Sequence, residues 1–280
     1  MERLELSSSV VIKYNNFITS LLIKIDCREA MYNKILNTLS NHQLVEVRIG
    51  LKWTSVVVDK GDHQQCGLAS TISGDHGHTG EPTIPDPGNL ETNSALTLAG
   101  WIESEIPLRR SIGCAAINAL LPRDPSSWVD LNAESAILEH GRGKNAVLIG
   151  HFPFVDHLKE DLGEFTVLDQ SPSGDDLPAS AAPEILPGAD LVAITGMTFI
   201  NHTLPELLSL CKPEAYVIVL GPSTPLSPVL YEFGVNLLAG STVENIPAVL
   251  AALGQGGNFR QIHQAGVRLI TQIPSSGKDI

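Results

Sequence analysis

The chain has 280 residues, 43% of them hydrophobic and 18% charged, enough for one large or two modest domains with a real core. Its 31 acidic residues outnumber 18 basic ones, and the formal net charge of −13 argues against nucleic acid or an anionic membrane as a main partner. Cys27, Cys66, Cys114 and Cys211 lie far apart with no CxxC spacing, so neither a zinc ribbon nor a disulfide framework is expected, and a reducing cytoplasm fits best.

The most apolar amino-terminal stretch, 17-FITSLLIKI-25, is interrupted by Lys24 and too short to span a bilayer, so residues 1–30 read as an atypical extension. Residues 31–40 place Met31, Ile35, Leu36 and Leu39 on one face of a short helix. Three strand-like runs follow at 44–49, 53–59 and 66–72, and their alternation predicts an antiparallel meander. Residues 73–91 form a loop rich in Gly, Pro, Asp and His. Ala95, Leu98, Ala99 and Ile102 then mark a helix that ends near Pro107. A second helix, 111-SIGCAAINALL-121, takes Ser111 as its N-cap.

Residues 122–127 look like a linker, and a helix around 132–140 leads into the second half. There, apolar strands at 145–150, 165–169, 191–195, 216–221 and 235–240 alternate with helices. That pattern reads as a buried parallel sheet, doubly wound. Thr203 with Glu206 suggests a capping box, and Ser227 with Pro228 another helix start. A last helix turns Ile246, Val249, Leu250 and Leu253 inward.

Open sheets of this kind bind ligands beyond the carboxyl ends of their strands. His151 stands at such a strand end, where it can bind a ligand, transfer a proton or hold a metal, or simply bond its own loop. Asp169 ends the next strand, 19 residues after Gly150, where a ribose-binding acid would sit. The rest of a dinucleotide fingerprint is missing, since Phe152 and Pro153 stand where further glycines belong. Thr195, Thr198 and Asn201 follow one strand, and Ser223 and Thr224 the next. These residues suit either an anionic ligand or ordinary turn chemistry. The start 109-RRSIG-113 joins two cations, Ser111 and the permissive Gly113, a second place for an anion. In 75-DHGHTGE-81, His76 and His78 are spaced to point the same way in extended backbone and are the candidate metal ligands. There is no GxSxG, P-loop or HExxH.

The runs 50-GLKWTSVVV-58, 111-SIGCAAINALL-121, 150-GHFPFV-155, 195-TGMTFINHTLP-205, 221-GPSTPLSP-228 and 234-GVNLLAG-240 together resemble a two-domain heavy-metal chelation family, formerly a domain of unknown function. The resemblance covers roughly residues 31–275. It implies an α/β protein with an enolase-N-terminal-like α+β domain over 31–124 and a Rossmann-like doubly wound domain over 125–275. It also implies a site in the cleft between them. Ser111, Gly113, Asn118, His151, Asp169, Thr195, Thr198, Asn201, Ser223 and Thr224 are the residues expected to line that cleft.

The leading expectation is a cytoplasmic protein that binds a small anionic or metal-associated ligand, with a heavy-metal ion as the implied cofactor and a role in metal handling or metal-cofactor assembly. Its partner is then a small molecule or metal complex, with no nucleic acid or membrane, and a homo-oligomer is compatible. The alternative is an enzyme using a nucleotide-like cofactor such as S-adenosylmethionine, with Asp169 on the ribose. A third reading is a purely structural or partner-binding protein.

Overall fold

The chain forms two sheets, seen in a computed structural model that describes residues 28–74 and 82–274. The first half opens with helix α1, whose described part spans 28–37. It continues into the antiparallel meander β1 (Gln43–Ile49), β2 (Trp53–Asp59) and β3 (Gln64–Ser70), in that order across the sheet. Helices α2 (Ala95–Gly100) and α3 (Pro107–Leu120) pack on it.

Strand β2 is buried on both faces. Val56 and Val58 point into the core shared with α1, α2 and α3. Trp53 and Val57 join Cys66 and Leu68 in a second core, with Val249, Leu250, Leu253 and Ile262 from the far end of the chain. Each of these fully buried aliphatic side chains contributes roughly 1.5–3 kcal/mol. The two halves are therefore joined through apolar cores, well beyond surface contact.

The second sheet has eight strands in the order β4-β11-β10-β9-β8-β5-β6-β7. They are β4 (Trp128–Val129), β5 (Ala146–Ile149), β6 (Phe165–Asp169), β7 (Leu177–Pro178), β8 (Leu191–Thr195), β9 (Tyr216–Leu220), β10 (Leu237–Val243) and β11 (Val267–Gln272). Strands β5 to β10 run parallel, while β11 is antiparallel to both β10 and β4. The sheet is thus mixed at one edge, where a wholly parallel one was expected. Two helices, Ile246–Gly254 and Phe259–Ala265, separate β10 from β11, and the chain then passes through Gly266, φ +128°, into a strand that pairs antiparallel with β10.

Helices α4 (Ala133–Gly141), α5 (Val155–Leu162), α6 (Ala182–Ile185), α7 (Met197–Ile200), α8 (Leu204–Leu210), α9 (Ile246–Gly254) and α10 (Phe259–Ala265) connect the strands. Alternate side chains of the central strands feed different cores. Val147, Val192 and Val217 face the core shared with the first half, and Leu148, Ala193 and Ile218 face the other. No helix among the described residues is long and apolar enough to cross a membrane.

Three expected helix starts are corrected. Helix α3 begins four residues before Ser111, because Pro107 takes its first position and Ile106 its cap. Pro107 was expected to end the preceding helix, which instead stops at Gly100 and tightens into a 3-10 turn, Trp101–Glu103. Thr203 does precede α8, but its hydroxyl donates to Asn201 Oδ1 at 2.7 Å, so it caps nothing and no capping box forms. Ser227–Pro228 opens only a six-residue 3-10 helix, Pro228–Phe233.

Candidate functional site

A cleft of about 1650 Å³ opens at the carboxyl ends of β5, β6, β8 and β9. Gly150 makes its corner. The residue holds φ +99°, a value that glycine adopts without strain, and its N–H still extends the ladder to Leu168 O at 2.8 Å. The chain therefore leaves the sheet abruptly and delivers 151-HFPF-154 to the cleft wall. Phe152 and Phe154 stack in parallel, their ring centres 5.3 Å apart and their planes 13° from each other.

His151 is the chemically distinctive group. Its Nδ1 lies 2.9 Å from Asp176 Oδ2, and its side chain is 46% exposed while that of Asp176 is 1% exposed. Burial alone would raise the Asp176 pKa, but the hydrogen bonds from His151 and from the Ser173 N–H and hydroxyl prevail and hold the carboxyl below its usual value. Asp176 is therefore the acceptor and Nδ1–H the donor. The neutral ring then carries its lone pair on Nε2, which has no hydrogen-bond partner among the described residues. A histidine aligned by a buried carboxylate, with the other nitrogen open to a cleft, is suited to donate to a metal or to take up a proton.

The rest of the expected site divides sharply. Asp169, Thr195, Thr198, Asn201 and Ser223 line the same cleft as His151. Much of their hydrogen-bonding capacity is spent locally. Asp169 Oδ1 accepts from the Ser171 N–H at 2.7 Å, Thr198 Oγ1 donates to Thr195 O at 2.6 Å, and Asn201 Oδ1 accepts from Thr203. The hydroxyl-rich turns are largely their own partners.

Thr224 lies away from the cleft, buried against Gly196, whose lack of a side chain admits it. Ser111 is fully buried and accepts from the Ile72 N–H at 2.9 Å. Gly113 exists for packing, since a Cβ there would strike the backbone of Ile102. Asn118 Nδ2 donates to Leu68 O at 2.8 Å and Ser223 O at 3.3 Å, stapling α3 to both halves.

The two arginines at the start of α3 are also committed. Arg109 donates to the carbonyls of Thr83 and Pro82, and Arg110 to those of Ser104 and Glu105. The expected anion site at 109–113 is therefore corrected: its cations close a loop and its hydroxyl is sealed in the core. Among the described residues of the first half, only Trp53 and Ser70 reach the cleft.

Among the described residues no three His, Cys, Asp or Glu side chains converge as a metal would require. His76 and His78 lie outside the described residues. Burial pushes the Cys66 thiol up to about 12 and that of Cys211 up to about 11, and raises that of Cys114 as well, so none of the three offers a thiolate at neutral pH. A naked ion held by the protein alone does not fit these residues. A metal that needs a single donor does, at His151 Nε2.

Sequence reasoning missed Asp176 because the search for an acid stopped at the strand end, at Asp169. The signal was the further acid in 171-SPSGDD-176, one loop turn later and beside the adjacent strand end. Phe152, which stands where a dinucleotide fingerprint would have a glycine, forms part of the cleft wall with Phe154.

Comparison with known proteins agrees with this architecture. Two family models, both described as "Putative heavy-metal chelation", match residues 32–121 and 133–272. An uncharacterised protein of Methanocaldococcus jannaschii is 24% identical over 242 residues, covering 84% of this chain and 92% of its own. A crystal structure of a DUF364-family protein of unknown function from Desulfitobacterium hafniense superposes with TM-score 0.75 at 26% identity, covering 88% of this chain and 98% of its own. A second from Pyrococcus horikoshii gives 0.73 at 23% identity, covering 89% and 100%. With both halves matched in order and the two-sheet fold shared, the chain belongs to the DUF364 family, whose two domain models carry the description "Putative heavy-metal chelation".

Proposed function

We propose that this protein binds a small metal-associated ligand in the cleft, with His151 as its coordinating side chain and Asp176 as the group that aligns it. The observation that carries the reading is the His151–Asp176 pair, a donor nitrogen pre-oriented by a buried carboxylate and left open to a large cavity. The family description supports the metal half of the reading. The lining favours it over a purely anionic ligand, because Asp130, Glu134, Asp169 and Glu206 face the cleft with Arg268 their only lysine or arginine counterweight among the described lining residues. Metal handling or assembly of a metal-containing cofactor in a reducing compartment is the role that fits, with Cys66 and Cys114 as buried free thiols. Nothing in the first strand-to-helix turn favours a nucleotide-like cofactor, since Phe152 occupies it and Asp169 is partly engaged by Ser171.

Elemental analysis and native mass spectrometry of the protein as purified test this reading. Wild type retains metal with an associated organic mass, and His151→Ala loses both. Equal retention by the two proteins contradicts it.

A further inference from the structure

The cleft is far larger than any ion requires. Ligand pockets for drug-sized molecules run to roughly 300–1,000 Å³, and this one reaches about 1650 Å³. It offers one nitrogen aligned by a buried carboxylate, His151 Nε2, while the other lining imidazole, His157, is exposed and its Nδ1 lies 3.3 Å from the partly exposed Glu134; no three donors converge among the described residues. The donor also comes attached to a wall. His151, Phe152, Pro153 and Phe154 are consecutive, Pro153 restricts the turn, and the two phenyl rings lie parallel to each other in the same cleft lining as the imidazole. Trp53, Trp128 and Phe259 also face the same space. Trp53 is 9% exposed, and its indole N–H is buried with no partner among the described residues. Aromatic surface of this extent recognises organic π-systems, whereas a hydrated ion gains nothing from it.

We infer that the cargo enters as a preassembled chelate: a flat, conjugated organic ligand that already holds its metal, keeps an axial position open for His151 Nε2, and rests on the aromatic wall. This deepens the proposed function and rests on it, because it takes the same nitrogen as the donor. The organic frame supplies the ligands that do not converge among the described residues. The carboxylates around the opening then meet the positive charge of the metal centre with no need to bind it directly.

Three probes separate the components. Cobalt(III)–salen is a flat cationic chelate that takes axial nitrogen donors. Nickel(II)–salen has the same shape but refuses axial ligands, and Co2+ alone has no organic frame. Each is titrated into the full chain by calorimetry and absorbance, with a cooperative thermal melt above the titration temperature confirming that every variant is folded.

Cobalt–salen is expected to bind one to one with a spectral shift. His151→Ala abolishes the shift, and Asp176→Asn weakens binding by about 10–100-fold. Nickel–salen binds more weakly, is indifferent to His151→Ala, and loses about tenfold on Phe154→Ala. Co2+ alone shows no binding that depends on His151. If Co2+ instead binds one to one through His151, and more tightly than the chelate, the preassembled cargo is wrong while the donor role of His151 stands. If neither form binds through His151, the inference and the proposed function fall together. If nickel–salen does not bind while cobalt–salen does, the aromatic wall has no part in recognition and the inference is overturned.

Discussion

The corner at His151 and the face of α3 carry similar polar residues, yet they do opposite work. At the corner, a buried carboxylate satisfies one side of the imidazole and leaves the other open to the cleft. On α3, Ser111 and Asn118 are turned into the junction of the two halves, where their groups serve the backbone of Ile72, Leu68 and Ser223. A polar residue near a cleft belongs to the site only if it has hydrogen-bonding capacity left after the fold has used what it needs. His151 has it and Ser111 does not.

The largest effect expected from breaking this contrast lies on the α3 side. Asn118→Ala removes donors to two carbonyls at the junction and should cost about 1–3 kcal/mol in urea unfolding, with His151-dependent binding unchanged in the folded fraction. A loss of binding without a loss of stability would place Asn118 in the site after all.

A smaller effect follows from Asp176. Its folded pKa lies below the ordinary carboxylate value, so its ionised form stabilises the fold above that ordinary value, about 3.9, and this contribution disappears as pH falls through the lower folded pKa. The melting temperature of wild type should therefore exceed that of Asp176→Asn at neutral pH, and the gap should close in acid. A gap independent of pH would show that the carboxylate charge plays no part.

The smallest effect is chemical. Cys66 and Cys114 are buried with raised pKa values and should resist alkylation in the native protein, while Cys211, half-buried, reacts slowly but measurably ahead of them. Site-resolved mass spectrometry after iodoacetamide treatment reads the order. Rapid labelling of Cys66 or Cys114 would reopen the thiols as metal donors.

The fold was legible where periodicity was strong. The alternation in 53-WTSVVVD-59 marks a strand, and its two apolar sets do face two cores. The direction of strand β11 was not legible, because Gly266 before 267-VRLITQ-272 marks a turn but not whether the strand returns parallel or antiparallel to β10. In the site, position was readable and commitment was not. His151 could be found from its place after β5, since any strand-end residue there meets the crevice. Whether Ser111 caps a helix or fills a core depends on where α3 begins, and Pro107, compatible with a helix end or a helix start, was assigned to the wrong one. Asp176 needed the third dimension, because 25 residues separate it from the histidine it orients.

Native mass spectrometry of wild type, His151→Ala and Ser111→Ala, expressed and purified side by side, tests the central claim most directly. The account predicts that wild type and Ser111→Ala carry the same bound mass and metal, and that His151→Ala alone is stripped of both. Retention by His151→Ala with loss from a folded Ser111→Ala would contradict it, and would move the site from the strand ends to α3.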